Sequence, residues 1–322
     1  DKIRTVSARH EQATAYMALG HAKSTGRPSV YSVVPGPGVL NTGAALCTAY
    51  GVNAPIMCLT GQVPSEFLGR ERGHLHELAD QQATLSTFIK AAYRIEHPQD
   101  ANRKFAEAWR TMISGRQGPV SLETCWDTMT MAADLPAPDM VTPEVSPPID
   151  PTAIDAAVKF IARAKRPMIM VGGGAQHAAD AVRELAERLN CPVVSHRGGK
   201  GVIPGDHALA MDCVAAYELW PETDLLIGIG SRLELQYMRW TGMQRMINRA
   251  EAPPHVIRID IDPAEMRRFK PHVPIIADAE DATLALLEGI AKAQAKTGTA
   301  KRIKDARSAV RDRINAVQPQ MD

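Results

Sequence analysis

The sequence predicts an α/β protein made of two doubly wound parallel-sheet domains joined by a proline-rich linker. Three observations lead there. Short apolar runs with β-branched residues alternate with longer helical patterns along most of the 322 residues. Six prolines (Pro136, Pro138, Pro143, Pro147, Pro148 and Pro151) fall in one stretch with few apolar residues between them. Glycine-rich turns follow several of the short runs, where a strand hands over to a helix. Length agrees, since roughly 150 residues per domain gives about two domains.

The elements follow in order. An early strand is expected to give way at Arg9-His10-Glu11-Gln12-Ala13 to a helix whose residues from Ala13 to Ala22 are small and apolar around most of the circumference. Ser29 to Val34 reads as a strand, followed by a Gly/Pro turn and a helix from about Val39 to Tyr50. Pro55 to Thr60 and Pro119 to Glu123 read as further strands, the latter preceded by a helix carrying Phe105, Trp109, Met112 and Ile113. Residues 1–130 thus form a first domain. Repeated prolines support neither a helix interior nor a central strand, so 131–150 is expected to be an extended linker.

The alternation then resumes over 151–296 as a second Rossmann-like domain. Helices are expected from about Thr152 to Ala164, from His177 to Leu189 and from Ala279 onward. Strands are expected at Pro167–Val171, Pro192–Ser195, Asp224–Gly228, His255–Ile261 and Pro274–Ala277. Residues 297–322 turn polar and read as a solvated terminal helix, a linker or a tail.

Composition removes several function classes. The chain has 37 basic and 36 acidic residues and a formal net charge of +1, which argues against a nucleic-acid partner. No apolar run approaches the roughly 18 residues of a membrane span, so no membrane partner is expected. The start, Asp1-Lys2-Ile3-Arg4, gives no signal peptide to read. Five cysteines, scattered and never spaced C-x-x-C, suit a reducing cytoplasm better than a disulfide framework. An intracellular enzyme is the remaining class.

Candidate chemistry lies at the strand ends. Glu11 opens a helix near strand C-termini, where open α/β sheets bind ligands. Burial there is expected to raise its pKa into the range useful for proton handling. Val34-Pro35-Gly36-Pro37-Gly38-Val39-Leu40-Asn41 can turn backbone N–H groups toward an anion or a ring nitrogen, but completes neither a dinucleotide fingerprint nor a P-loop. Gly61-Gln62 ends another strand and leads into a polar loop with His74 and His76. Two histidines at that spacing, with no third ligand, make a poor zinc site, so no metal ligand is assigned in this chain. In the second domain Gly172-Gly173-Gly174, Gly230-Ser231-Arg232 and Asp260 with Asp262 suit a nucleotide's phosphate and ribose, or are simply turns.

Taken in order, these stretches resemble the thiamine-diphosphate enzymes of the acetolactate synthase group. The resemblance runs through Arg9-His10-Glu11-Gln12, Pro35-Gly36-Pro37-Gly38 with Asn41, Gly61-Gln62 and Gly115-Arg116-Gln117-Gly118-Pro119-Val120. It continues through Gly172–Gly174, Gly198 to Pro204, Gly230-Ser231-Arg232 and Ile259 to Pro263, covering about Arg4 to Leu287.

The resemblance implies a carboligase or lyase acting on a small 2-keto acid. Glu11 would hydrogen-bond a nitrogen of the cofactor's aminopyrimidine and so promote removal of the thiazolium proton. Pro37, Gly38 and Asn41 would wall the pyrimidine side; Gln62 and His76 would border the substrate. Gly173, Gly174, Ser231, Arg232 and Asp260 would hold FAD or ADP in the central domain. A homodimer or homotetramer is implied, because the family builds each active site between two chains.

Three features depart from the family pattern. No Gly-Asp-Gly stretch is present, so Mg²⁺ and the diphosphate are expected on a third domain absent from this chain. The first domain is expected to be incomplete at its start, and this chain alone inactive. Leu75-His76-Glu77 and Arg232-Leu233-Glu234-Leu235-Gln236 replace the family's Phe-Gln-Glu and Arg-Phe-Asp-Asp-Arg runs. A 2-keto acid decarboxylase or a diketone hydrolase is therefore the enzymatic alternative. A nucleotide-binding regulatory protein is the non-enzymatic one.

Overall fold

A computed structural model describes residues 3–138, 140–146, 148–234, 255–268, 270–290 and 298–317. Within it the chain divides into two compact units, Asp1–Val145 and Ser146–Asp322.

The first unit opens without a strand. Residues 3–10 form no hydrogen-bonded ladder, and the regular structure begins at α1 (Glu11–Thr25). His10 takes an extended conformation and caps that helix, its Nδ1 accepting from the Gln12 amide at 3.1 Å. The left-handed Gly26 ends it. Contrary to the expectation of burial all round, α1 buries only the face carrying Ala15, Ala18, Leu19 and Ala22 and exposes Tyr16 and Met17.

Strand β1 (Ser29–Val33) follows, then α2 (Pro37–Asn41), α3 (Gly43–Val52) and β2 (Ile56–Gln62). The single helix expected from Val39 to Tyr50 is thus two. Its break falls at Thr42, whose hydroxyl bonds the Val39 carbonyl at 2.7 Å and competes with the helix ladder. Elements not anticipated from the sequence include α4 (Gln81–Ser86) and β3 (Ala91–Ile95). Helix α5 (Ala101–Ile113), β4 (Val120–Cys125) and α6 (Trp126–Thr130) complete the unit.

The sheet is parallel throughout, in the order β1-β2-β4-β3. One face packs with α1 and α3 around Leu19, Tyr31, Leu46 and Ile56; the other buries Met57 and Val120 against Ala108 and Met112 of α5. Beside α5 a cavity of about 400 Å³ remains, lined by Leu59, Ile95, Phe105 and Met129 among others. The proline-rich stretch does not leave this unit at once. Asn102 donates to the Pro136 carbonyl at 2.6 Å, and the Glu144 amide donates to Ser114 at 2.9 Å.

The second unit starts at α7 (Pro151–Arg163), capped by Asp150, and alternates through β5 (Pro167–Val171), α8 (Ala179–Leu189), β6 (Val193–Ser195) and β7 (Ala210–Met211). Then come α9 (Cys213–Leu219), β8 (Leu225–Ile229), β9 (His255–Asp260), α10 (Glu265–Arg268), β10 (Val273–Ile276) and α11 (Ala279–Gly289). The strand order β10-β9-β8-β5-β6-β7, all parallel, reverses direction between β5 and β8. Those two central strands are buried along their whole length, as helices on both faces require.

Beyond 297 the chain does not run off as a tail. Helix α12 (Thr299–Val317) buries Thr299, Ile303 and Ala306 within the unit, and Arg302 bonds Glu222 at 2.6 Å. Leu235 and Gln236, and residues 291–297, lie outside the described residues.

Candidate functional site

The first unit gathers its candidate residues at the C-terminal ends of β1 and β2. Glu11 sits in the first turn of α1, and Asn41 ends α2; the Asn41 amide donates to Glu11 Oε2 at 3.0 Å, across 30 residues of sequence. Gly38 stands between them. A Cβ on it would lie 2.6 Å from Val34 and 3.8 Å from the Glu11 side chain, so only glycine leaves that side of the carboxylate open. Pro37 starts α2 at the position where a missing N–H costs nothing.

The expected upward pKa shift of Glu11 is overturned. Its own backbone amide, then the Asn41 amide and, more weakly, the His10 charge hold the carboxyl below the ordinary carboxylate range. Helix start and capping partner therefore win over burial, because this end of α1 stays open to solvent. Glu11 is an ionised hydrogen-bond acceptor at neutral pH.

His76 and Gln62 occupy different settings. The His76 carbonyl rests on Gly36, where a Cβ would come within 2.5 Å of it, and both residues have positive φ, 60° for Gly36 and 68° for His76. The loop bearing His76 is thereby seated on the Pro35–Gly38 turn. The His76 Nδ1 is buried without a hydrogen-bond partner, an orphaned polar atom beside the candidate site. His74 lies apart, its ring 4.9 Å from Phe67 and 6.1 Å from Trp126 between centroids. Gln62 is only 2% exposed and turns inward. Its Oε1 accepts from the Val63 amide at 2.8 Å, and its Nε2 lies 3.5 Å from Glu123.

Three residues of this cluster were not anticipated from the sequence. Glu123 is 1% exposed in the middle of β4 and pairs across the ladder with Arg94 of β3, at 2.6 Å from Nε and 2.5 Å from Nη2. Gln81, also 1% exposed, donates to Glu123 at 2.7 Å and to the Gly61 carbonyl at 3.2 Å, and accepts from the Gly36 amide at 2.8 Å. The one available signal was a carboxylate inside an otherwise buried strand, which demands a partner.

The second unit assembles its candidates at the β5/β8 reversal, the place where sheets of this kind take ligands. Three glycine turns pack backbone to backbone there. A Cβ on Gly172 would lie 2.3 Å from the Gly230 carbonyl, and one on Gly174 2.9 Å from Gly230 Cα. The Gly174 amide donates to the Gly230 carbonyl at 3.1 Å, and Gly173 faces Gly198. Loop packing thus accounts for Gly172, Gly174 and Gly230, whereas a Cβ on Gly173 would meet nothing closer than 3.8 Å. Ser231 accepts from the Leu233 amide at 3.3 Å, and Arg232 lies within 4 Å of both Glu234 and Glu265. Arg197 bonds Glu234 at 2.8 Å.

Asp260, at the end of β9, behaves differently. Burial pushes its carboxyl up to about 6, against the pull of the Asp262 amide and of Arg258. The folded chain therefore favours the neutral form. Stability from this group is complete below its unfolded pKa of 3.8 and is lost as pH rises through about 6. Asp260→Asn is expected to stabilise the second unit by up to about 3 kcal/mol at pH 7, and by almost nothing at pH 4. Melting curves of the two proteins at both pH values check this; equal gains at both would contradict the assignment.

Cysteine chemistry finds no support. None of the five cysteines forms a disulfide, and burial pushes Cys58 up to about 12 and Cys125 to about 11. Among the described residues no group of three or more His, Cys, Asp or Glu comes together to hold a metal ion. None of the described helices is long and apolar enough to cross a membrane.

Comparison with known proteins bears on the same two regions. Residues 1–84 match the model of the thiamine pyrophosphate enzyme N-terminal TPP binding domain, and residues 154–287 match that of the thiamine pyrophosphate enzyme central domain. The chain is 31% identical over 304 residues to the acetolactate synthase isozyme 1 large subunit of Escherichia coli, covering 91% of this chain and 52% of that protein. It is 33% identical over 308 residues to the acetolactate synthase large subunit of Corynebacterium glutamicum, covering 92% and 48%. A Pseudomonas aeruginosa protein named "Probable 2-ketoarginine decarboxylase AruI" is 33% identical over 293 residues, covering 88% and 51%. The chain spans about half the length of the curated relatives it matches.

Proposed function

This chain belongs to the thiamine pyrophosphate enzyme family, and on that premise we propose that it supplies the pyrimidine-binding and central parts of a carboligase or lyase acting on 2-keto acids, of the acetolactate synthase kind. The Asn41–Glu11 hydrogen bond across a glycine-opened turn carries this reading. An ionised carboxylate with one oxygen fixed by an amide is suited to accept an N–H from an aminopyrimidine ring, and the glycines leave room for the ring to approach. Thiamine diphosphate, when bound, supplies the electron sink that lets carbon dioxide leave a 2-keto acid.

The chain's own residues do the rest. Glu11 would hold a proton at the ring nitrogen of a bound aminopyrimidine, which acidifies the amino N–H opposite and favours the imino form able to take up a proton. Asn41 keeps the carboxylate ionised and oriented. Pro37 and Gly38 would shape the wall, and His76, on the loop seated against Gly36, would border the reacting region. Gln62 supports the floor through Glu123 rather than by reaching outward. In this reading none of the described residues is assigned to Mg²⁺ or the diphosphate.

Decarboxylation without ligation is a second reading. It is favoured by His76, whose buried Nδ1 has no hydrogen-bond partner, and by the name of the Pseudomonas relative. In the central unit, FAD or ADP would have to replace the Glu234 contacts of Arg197 and Arg232 with phosphate contacts. Tyr16, Met17 and Leu40 are exposed on the two helices that carry Glu11 and Asn41, which supports a homodimer or homotetramer.

The test is product analysis. The full-length protein, given thiamine diphosphate, Mg²⁺ and pyruvate, is expected to form acetolactate. Efficient release of acetaldehyde alone would replace the synthase reading with the decarboxylase one. No product from any 2-keto acid in a panel would overturn both.

A further inference from the structure

We propose that Gln81, oriented by the ion pair of the buried Glu123 with the part-buried Arg94, is a positioning residue that sets the geometry of the Glu11–Asn41 pair. The inference rests on the reading of Glu11 given above. Its physical basis is a chain of hydrogen bonds that starts in the sheet and ends at the carboxylate. Arg94 grips Glu123 through two nitrogens, and Glu123 accepts from the Gln81 amide at 2.7 Å. Gln81 accepts the Gly36 N–H at 2.8 Å. The Gly36 carbonyl in turn accepts from Leu40 at 3.0 Å, forming the first turn of α2, and α2 ends on Asn41. Asn41 donates to Glu11.

Helix α2 is only five residues long, so its direction is fixed largely by the residue from which it starts. Gly36 is that residue, and its positive φ leaves it no helical partner upstream. The Gln81 amide holds it, and holds the Gly61 carbonyl at the same time, tying the ends of β1 and β2 together. The amide has one possible orientation. Glu123 can only accept, and the Gly36 N–H can only donate, so nitrogen and oxygen cannot exchange places. Both donors and the carbonyl oxygen of Gln81 are engaged.

The charge pair has the same logic. A carboxylate 1% exposed is tolerable only when paired. A buried ion pair adds little stability over apolar residues of the same size, and its attested use is to specify one arrangement. Here the specified arrangement is the Gln81 side chain beneath the turn. Because Asn41 lowers the pKa of Glu11, slackening α2 removes that effect and raises it.

Gln81→Met in the full-length protein tests this. Deuterium uptake by the segment 36–41 is expected to accelerate tenfold or more while secondary structure is retained. The acid-side midpoint of the pH dependence of kcat is expected to move upward. Asn41→Ala should move it the same way, and the double variant no further. Glu123→Gln, which keeps shape and loses charge, should give a smaller shift of the same sign, and serves if Gln81→Met fails to fold. Unchanged uptake, an unmoved midpoint or additive shifts would each overturn the proposal. If Glu11→Gln leaves turnover intact, the catalytic reading fails while deuterium uptake still reports on positioning. If Glu11→Gln is slow and Gln81→Met moves nothing, only the positioning role falls.

Discussion

Replacing Glu11 with glutamine in the full-length protein is expected to lower 2-keto acid turnover by about 10²–10⁴-fold, the range for a lost acid–base group. Thiamine diphosphate should still bind, since the substitution keeps the size of the side chain. The loss follows from charge. Glutamine offers an oxygen of similar reach but no ionised carboxylate, so the ring nitrogen is no longer favoured in its protonated form. Asn41 also loses its charged acceptor and is left with an ordinary amide contact. Steady-state kinetics with binding measured alongside check this. A variant that loses binding as much as kcat would point to a merely structural carboxylate.

Arg258→Ala is expected to destabilise the second unit by about 3–5 kcal/mol, the cost typical of breaking one side of a buried ion pair. Arg258 is fully buried on β9. It donates to the Glu265 carbonyl at 2.5 Å, to the Glu265 carboxylate at 3.0 Å and to the Ser231 carbonyl at 3.1 Å. Removing it takes the nearest cation from a carboxylate 3% exposed, leaving Arg232 at 3.9 Å, and frees the turn after β8 from the start of α10. Replacing Glu265 with methionine at the same time should recover much of the loss, because the poorly compensated buried charge then disappears. Chemical denaturation of the single and double variants measures both effects. A single-variant loss below about 1 kcal/mol would mean that water reaches Glu265 freely.

What the sequence revealed and what it hid follow a physical line. The alternating strands and helices were legible because burial on both faces leaves near-continuous apolar runs, as in Pro167–Val171 and Leu225–Ile229. Pro37, Gly38 and Asn41 were legible because a turn between strand and helix has its own residue chemistry. The Gln81–Glu123–Arg94 network was not. Its members lie 42 and 29 residues apart, and no local pattern links an amide at a short helix start to a carboxylate in a distant strand. The pKa of Glu11 was misjudged for a related reason. Helix composition suggested burial, whereas the position at the helix start, with Asn41 beside it, decides the charge. In the central unit the glycines were visible, but their cause, three turns packed backbone to backbone, needed the fold.

The central claim is that Glu11 activates a bound thiamine cofactor by holding a ring proton. Exchange of the cofactor's C2 proton for deuterium, followed in the full-length protein without substrate, tests it most directly. The account predicts fast exchange in the native protein, and exchange slowed by at least about 10²-fold in Glu11→Gln with the cofactor still bound. Equal exchange rates in the two proteins would contradict it.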